Sequence, residues 1–196
     1  MTGDPAQAVI VLAGGRSSRF GRDKLAEPID GQRLLDRAIA AVRQVTDTVL
    51  VVVAPGDARP LPDGVTRVHD DAPFDGPLAG AAAGLRALPA TVERAVLVGG
   101  DMPAIVPAVL EALLAALDDP AVAAAALHDG ERRRPLPSAV RLPAASTRAD
   151  ELLAAGERRL RALIEGPATV DVGPERWRPL DPAGDTLRDV DLPTDR

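Results

Sequence analysis

Cysteine and tyrosine are absent from these 196 residues, and there are only two phenylalanines, two histidines and one tryptophan. Without cysteine there is no disulfide framework and no thiolate metal site. The two histidines, His69 and His128, stand far apart in sequence and read as structural residues, so a zinc site is not expected. With aromatics at 2%, aliphatic packing must build the core, and no stacking platform for single-stranded nucleic acid is available. The net charge of −6 removes the basic footprint that duplex binding needs. No stretch approaches the roughly 20 apolar residues of a membrane span. The start, MTGDPAQAVIVLAGG, is acidic with a short apolar run, unlike a signal peptide. The expectation is a cytoplasmic protein with neither nucleic acid nor membrane as partner. Lysine is scarcer still: of 23 basic residues, Lys24 alone is a lysine.

What is present is a globular composition, 46% hydrophobic and 27% charged, dominated by Ala, Val and Leu. One domain, 1–196, is predicted. The continuous apolar runs AVIVL (8–12), TVLVVVA (48–54) and RAVLVGGD (94–101) have the pattern of strands buried on both faces. VTRVHD (65–70), AVAAAALH (121–128), SAVRL (138–142) and ATVDV (168–172) predict further strands. Helices are predicted over 33–45, where 34, 35, 38, 39 and 42 keep helical spacing, over 77–88, with Pro77 at its start, over 107–117, and over 149–164, broken or continuous. The Pro/Arg/Asp-rich tail reads as irregular. Strands alternating with helices imply a three-layer α/β/α, Rossmann-like domain with a mainly parallel central sheet. Ligands in such sheets bind at the carboxyl ends of the strands, which singles out residues 13–24, 70–78, 99–103 and 129–135.

The first of these loops, GGRSSRFGRDK, is rich in backbone N–H donors, with hydroxyl and guanidinium groups suited to phosphate oxygens. It is neither a Walker A loop nor G-x-G-x-x-G. In VLVGGDMP, Asp101 stands just past a buried strand, where a carboxylate either caps the next turn or binds a hard cation bridging to phosphates. Asp189 and Asp191 alternate in LRDVDLP and so share one face of an extended segment, as a second arm of a magnesium site or as solvated charge. In HDDAPFDGPLAG, Asp70 or Asp71 is placed to accept from a ribose hydroxyl or base amine, with Gly76, Pro77 and Leu78 as a rigid wall, or the segment is simply a well-capped connection. HDGERRRP offers three arginines to an anionic second substrate, or simply to solvent. Trp177 reads as an anchor for the tail.

Together these motifs resemble the nucleotidyltransferase superfamily with the LAGGxSxRMGxDK loop, and within it the molybdenum cofactor guanylyltransferases (MobA-like). Phe20 stands where methionine is usual; DGPLAG and VGGDMP match the second and third signatures, and the likeness covers nearly the whole chain. The resemblance implies transfer of GMP from GTP to the phosphate of molybdopterin or of the molybdenum cofactor, with release of pyrophosphate and with Mg2+ as cofactor. It also implies transient contact with other molybdenum cofactor biosynthesis or acceptor proteins. By the match, Leu12, Ala13 and Gly14 line base and ribose. Gly15, Arg19 and Lys24 hold phosphates, Asp70 lies near the nucleoside, and Asp101 binds the metal, making Arg19, Lys24 and Asp101 the catalytic set. In-line attack on the α-phosphorus needs positioning and charge neutralisation more than a protein nucleophile, which suits a chain without cysteine.

Two features depart from the guanylyltransferase pattern. Ala54-Pro55-Gly56 follows the second strand where some members carry asparagine, and RDVDLP replaces N-V-N-T-P, closer to the related cytidylyltransferases. A cytidylyl- or other nucleotidyltransferase acting on a pterin, sugar phosphate or phospho-acid is the alternative. A non-catalytic nucleotide-binding module is a third reading, against which Arg19, Lys24 and Asp101 together argue.

Overall fold

The computed structural model describes residues 6–14, 24–26, 28–29, 31–70 and 76–189, with backbone only for Lys24 and Ile29. β1 (Gln7–Leu12) is an inner strand of the main sheet. Its interior residues are buried on both faces, as its unbroken apolar run predicts. After a one-turn 3-10 helix (Lys24–Ala26), a two-residue hairpin of β2 (Pro28–Ile29) and β3 (Gln32–Arg33) leads into α1 (Leu34–Val42). The apolar set Leu34, Leu35, Ala38, Ile39 and Val42 is buried as its spacing predicts. Arg33 lies in β3, outside the helix, and its guanidinium pairs with Asp36 in the first turn at 2.7 and 2.9 Å.

β4 (Val49–Val53) and β5 (Thr66–His69) follow, then α2 (Pro77–Ala87), β6 (Arg94–Gly99), α3 (Pro107–Ala115) and β7 (Ala124–His128). Next come β8 (Arg133–Arg141), α4 (Ala144–Ala154), a 3-10 turn (Leu160–Ile164), β9 (Thr169–Val172) and α5 (Pro174–Trp177). The seven-stranded sheet has the order β5-β4-β1-β6-β8-β7-β9. All pairings are parallel except those of β8, which runs against β6 and β7. Val9 and Val11 of β1 pack with α1, α3 and Trp177 on one face. Ile10 packs with α2, α4 and the 160–164 turn on the other. The layers are therefore three, as predicted.

Three segments differ from the sequence expectation. β8 begins at Arg133, five residues before the predicted SAVRL strand, and Pro135 and Pro137 sit inside it. The ladder with β7 shifts register between Ala126 and His128, and such an irregularity tolerates prolines that a regular ladder excludes. The helical region predicted for 149–164 is broken, and its first part starts earlier, at Ala144 directly after Pro143. Gly156, at φ +83, ends that helix in the left-handed conformation glycine favours. The tail is not irregular: α5 and a 3-10 turn (Asp185–Leu187) are formed and packed. Among the described residues, no helix is long and apolar enough to cross a membrane.

Candidate active site

The chain leaves β1 toward β4 and β5 on one side and later adds β6 on the other, so the topological switch lies between β1 and β6. The exits of three strands are locked together there. Gly100 N–H donates to Leu12 O at 2.9 Å and Ala13 N–H to Val52 O at 2.8 Å. Ala13 is buried, Leu12 half-buried and Gly14 exposed. A Cβ on Gly14 would lie 3.4 Å from Ala54 N, so the first loop leaves β1 against the β4 exit. Gly15, Arg19 and the side chain of Lys24 lie outside the described residues.

The two glycines of VGGD answer two different steric demands. At Gly100 a Cβ would press on Leu35 Cδ1 at 3.1 Å and Leu12 O at 3.3 Å. At Gly99 it would collide with Oδ1 of Asp101 and crowd Met102. Met102 is buried, and its sulfur accepts Gly99 N–H at 3.3 Å. The turn after β6 thus folds the half-buried Asp101 carboxylate back over Gly99, at the carboxyl edge of the sheet beside the β1 exit.

On the far side of β4, Asp70 N–H donates to Val53 O at 2.9 Å. Its Oδ2 lies 3.6 Å from where a Cβ on Gly80 would stand, which sets the carboxylate against the N-terminal half of α2. Gly76 has φ +92, and a Cβ there would meet Arg158 O at 2.8 Å, so this close approach admits only glycine. Leu78 N–H also donates to Arg158 O, at 3.3 Å. Gly76 is half-buried, Pro77 exposed and Leu78 fully buried in the core, so only the first two present surface. Asp71 lies outside the described residues.

The β7–β8 hairpin turns at the same edge. Asp129 Oδ1 accepts the amides of Glu131 and Arg132, each at 2.9 Å, and these amides hold the Asp129 carboxyl below its usual range. The three arginines are divided. Arg132 is exposed, Arg134 is half-buried with NH1 3.5 Å from Asp129, and Arg133 is tied to β9. Arg133 Nε bonds Asp171 at 2.6 Å and NH1 bonds Ile164 O at 2.9 Å, and the Asp171 carboxylate raises the guanidinium pKa.

Trp177 is buried and Nε1 donates to His128 O at 3.0 Å, anchoring the tail to β7 as predicted. His128 Nδ1 accepts Gly130 N–H at 3.1 Å, and His69 Nδ1 is 3.3 Å from Ala54 O. Both histidines are engaged with nearby backbone. Asp189 is exposed, two residues past the Asp185–Leu187 turn, and Asp191 lies outside the described residues. Among the described residues no group of three or more His, Asp and Glu is arranged to hold a metal. The acids predicted for this role are all carboxylates, a hard oxygen donor set. That chemistry suits magnesium, which keeps several waters and takes one or two carboxylates plus phosphate oxygens.

Two residues central to this end of the molecule carried no signal as motifs: Asp181 and Thr186, buried in the tail. The only trace of them is the D-P-A-G-D-T run, a turn-forming composition with an acid four residues before another acid and a threonine.

Fold and edge together define an open α/β domain that gathers its strand-exit loops at the β1/β6 switch. Residues 9–172 match the family described as the MobA-like NTP transferase domain. A Chloroflexus aggregans protein named probable molybdenum cofactor guanylyltransferase is 37% identical over 192 residues, 95% of this chain and 89% of that one. A Mycobacterium avium protein of the same name is 36% identical over 162 residues, 81% and 80% of the two chains. The crystal structure of molybdopterin-guanine dinucleotide biosynthesis protein A from Archaeoglobus fulgidus superposes with a TM-score of 0.77 at 21% identity, covering 96% and 94%. The chain belongs to the MobA-like nucleotidyltransferase family.

Proposed function

We propose that this protein transfers GMP from GTP to the terminal phosphate of molybdopterin, with or without bound molybdenum, and releases pyrophosphate. The observation that carries the reading is the near full-length 37% identity to a relative of that name. The site geometry supports it: a glycine-relieved carboxylate, Asp101, stands beside the β1 exit at the switch point. An acceptor phosphate oxygen forms the new bond to the α-phosphorus while the bond to the pyrophosphate oxygen breaks. That acceptor is already ionised, so the chain needs no general base and acts by holding the two phosphates in line and balancing their charge.

The roles are those the family resemblance implies. Leu12, Ala13 and Gly14 bound the nucleoside side, with Asp70 and the Gly76–Pro77 shoulder beyond β4. Gly15, Arg19 and Lys24 hold phosphates, and the β7–β8 hairpin with Arg132 and Arg134 faces the acceptor. Magnesium would be held by Asp101, with Asp189 and Asp191 as further oxygen donors, and would supply charge neutralisation on the triphosphate. Ala54 and the Asp189-Val-Asp191 pattern favour CTP as the competing nucleotide. The deciding experiment is pyrophosphate release with magnesium across GTP, CTP, ATP and UTP, each with and without molybdopterin. Release confined to GTP and dependent on molybdopterin is expected. A preference for CTP, or no dependence on the pterin, would replace this reading.

A further inference from the structure

Buried polar side chains are rare in this protein: among the described residues they are Ser138, Asp181 and Thr186. Two of the three lie in the tail, bonded to each other. Asp181 Oδ1 accepts Asp185 N–H at 3.0 Å and Oδ2 accepts Thr186 N–H at 2.8 Å. The Thr186 hydroxyl accepts Val106 N–H at 3.0 Å. Val106 is the residue that opens α3 and ends the segment 100–106, which begins with Gly100 and Asp101. Upstream, Asp181 N–H donates to Trp177 O at 3.1 Å, and Trp177 is fixed to His128 O at the end of β7. Leu187, directly after Thr186, packs against the α1/α3 core. The tail is therefore strapped across the carboxyl edge from β7 to the start of α3, and Asp189 emerges two residues beyond its last anchor.

We propose that Asp181 and Thr186 form a positioning lock for the candidate active site, holding the 100–106 segment that carries Asp101 and launching Asp189 from the same end of the sheet. Neither residue is placed to touch nucleotide; they act through the backbone they hold. A buried carboxylate and hydroxyl are a costly way to tie down a tail that apolar packing alone could cover. They confer a fixed geometry that apolar contacts do not, and an ångström of misplacement can cost about a hundredfold in rate. The role in catalysis rests on the proposed guanylyl transfer; the lock itself rests on the hydrogen bonds.

The test uses the full chain. Thr186→Val keeps the shape and removes the hydroxyl that accepts Val106 N–H, whereas Thr186→Ser keeps it. One readout is amide hydrogen exchange over 100–106 and 185–189 without nucleotide or metal. The other is kcat and KM for GTP-dependent pyrophosphate release. In Thr186→Val, exchange in both segments should rise about tenfold. Its kcat should fall about tenfold, or about 1.4 kcal/mol, while KM for GTP stays within about threefold because the β1 and β4 exits are untouched. Thr186→Ser should behave as wild type. Unchanged exchange, faster exchange with unchanged kcat, or Thr186→Ser as impaired as Thr186→Val would each overturn the proposal. If Thr186→Val does not fold, Asp181→Asn, which keeps the volume and loses the charge, takes its place with the same two measurements and the same expected changes. A wild-type chain that releases no pyrophosphate with any nucleotide defeats the proposed guanylyl transfer, and the lock is then decided by exchange alone.

Discussion

Gly84 of α2 lies so close to Ile10 of β1 that a methyl group in its place would stand 2.6 Å from Ile10 Cγ2 and 3.0 Å from Val52 Cγ2. Four residues earlier on the same helix, a Cβ on Gly80 would meet its neighbours at 3.6 and 3.7 Å, ordinary contact. Alanine is favoured over glycine in a helix by about 1 kcal/mol, but overpacking a tight core costs about 1–3 kcal/mol. Gly84→Ala should therefore lower the urea midpoint, and Gly80→Ala should leave it level or raise it. A stabilised Gly84→Ala would mean that α2 can back away from the sheet.

Asp101 stands beyond the end of β6, half-buried, and supplies none of the apolar packing beneath it. Asp101→Asn keeps the volume and removes the charge. Pyrophosphate release should fall at least about a hundredfold, about 2.7 kcal/mol of transition-state stabilisation, with the melting temperature within a few degrees of wild type. Full activity in this variant would move the metal-binding role to Asp189 and Asp191.

The hairpin arginines should separate in their effects. Arg133 ties β8 to Asp171 of β9 and to Ile164 O, but the ion pair is partly solvated, which limits its worth. Arg133→Ala should cost about 1 kcal/mol of stability, read as a shift in denaturant midpoint. Arg132→Ala should stay within about 0.5 kcal/mol in stability and show itself in KM for the pterin acceptor. Equal stability losses in the two variants would contradict this division of labour.

Acid should act on the tail in a defined direction. Burial by itself would raise the Asp181 pKa, but hydrogen bonds from the Thr186 and Asp185 amides outweigh it and hold the carboxyl below its usual range. A carboxyl with a depressed folded-state pKa contributes stability that is complete above the unfolded value of about 3.9 and disappears as pH falls through the folded value. The stability gap between wild type and Asp181→Asn should be widest near pH 7 and narrow below about pH 4. Urea unfolding at pH 7, 5 and 3 measures it, and a gap that widens toward acid would mean the carboxyl is strained and not stabilised.

What could be read in advance depended on whether a residue type has one physical use or two. Val9 to Leu12 and Val49 to Val53 have no use but a sheet buried on both faces, so the strands around the switch were legible, and with them the edge carrying Asp101. The acid just past β6 was legible as a turn cap or cation ligand, but the crowding that makes Gly99 and Gly100 necessary was not. β8 was only half legible, because Pro135 and Pro137 argue against a strand unless a register shift accommodates them. Asp181 and Thr186 were illegible: in a tail dense with Asp, Arg and Pro, a buried acid and a solvated one are the same letter. Only the placement of Val106 across from Thr186 distinguishes them.

The reversal of β8 divides the rim of the domain into two kinds of territory. Where β1, β4 and β6 end, each loop must lead back across a face to the next parallel strand, so its length is tied to the layers beneath it. Where β7 turns directly into β8, the chain goes out and back at one place, and residues 129–132 bridge no layer. This tongue can be lengthened, shortened or exchanged without re-threading a single strand. A designer testing whether this hairpin selects the proposed acceptor would graft here first.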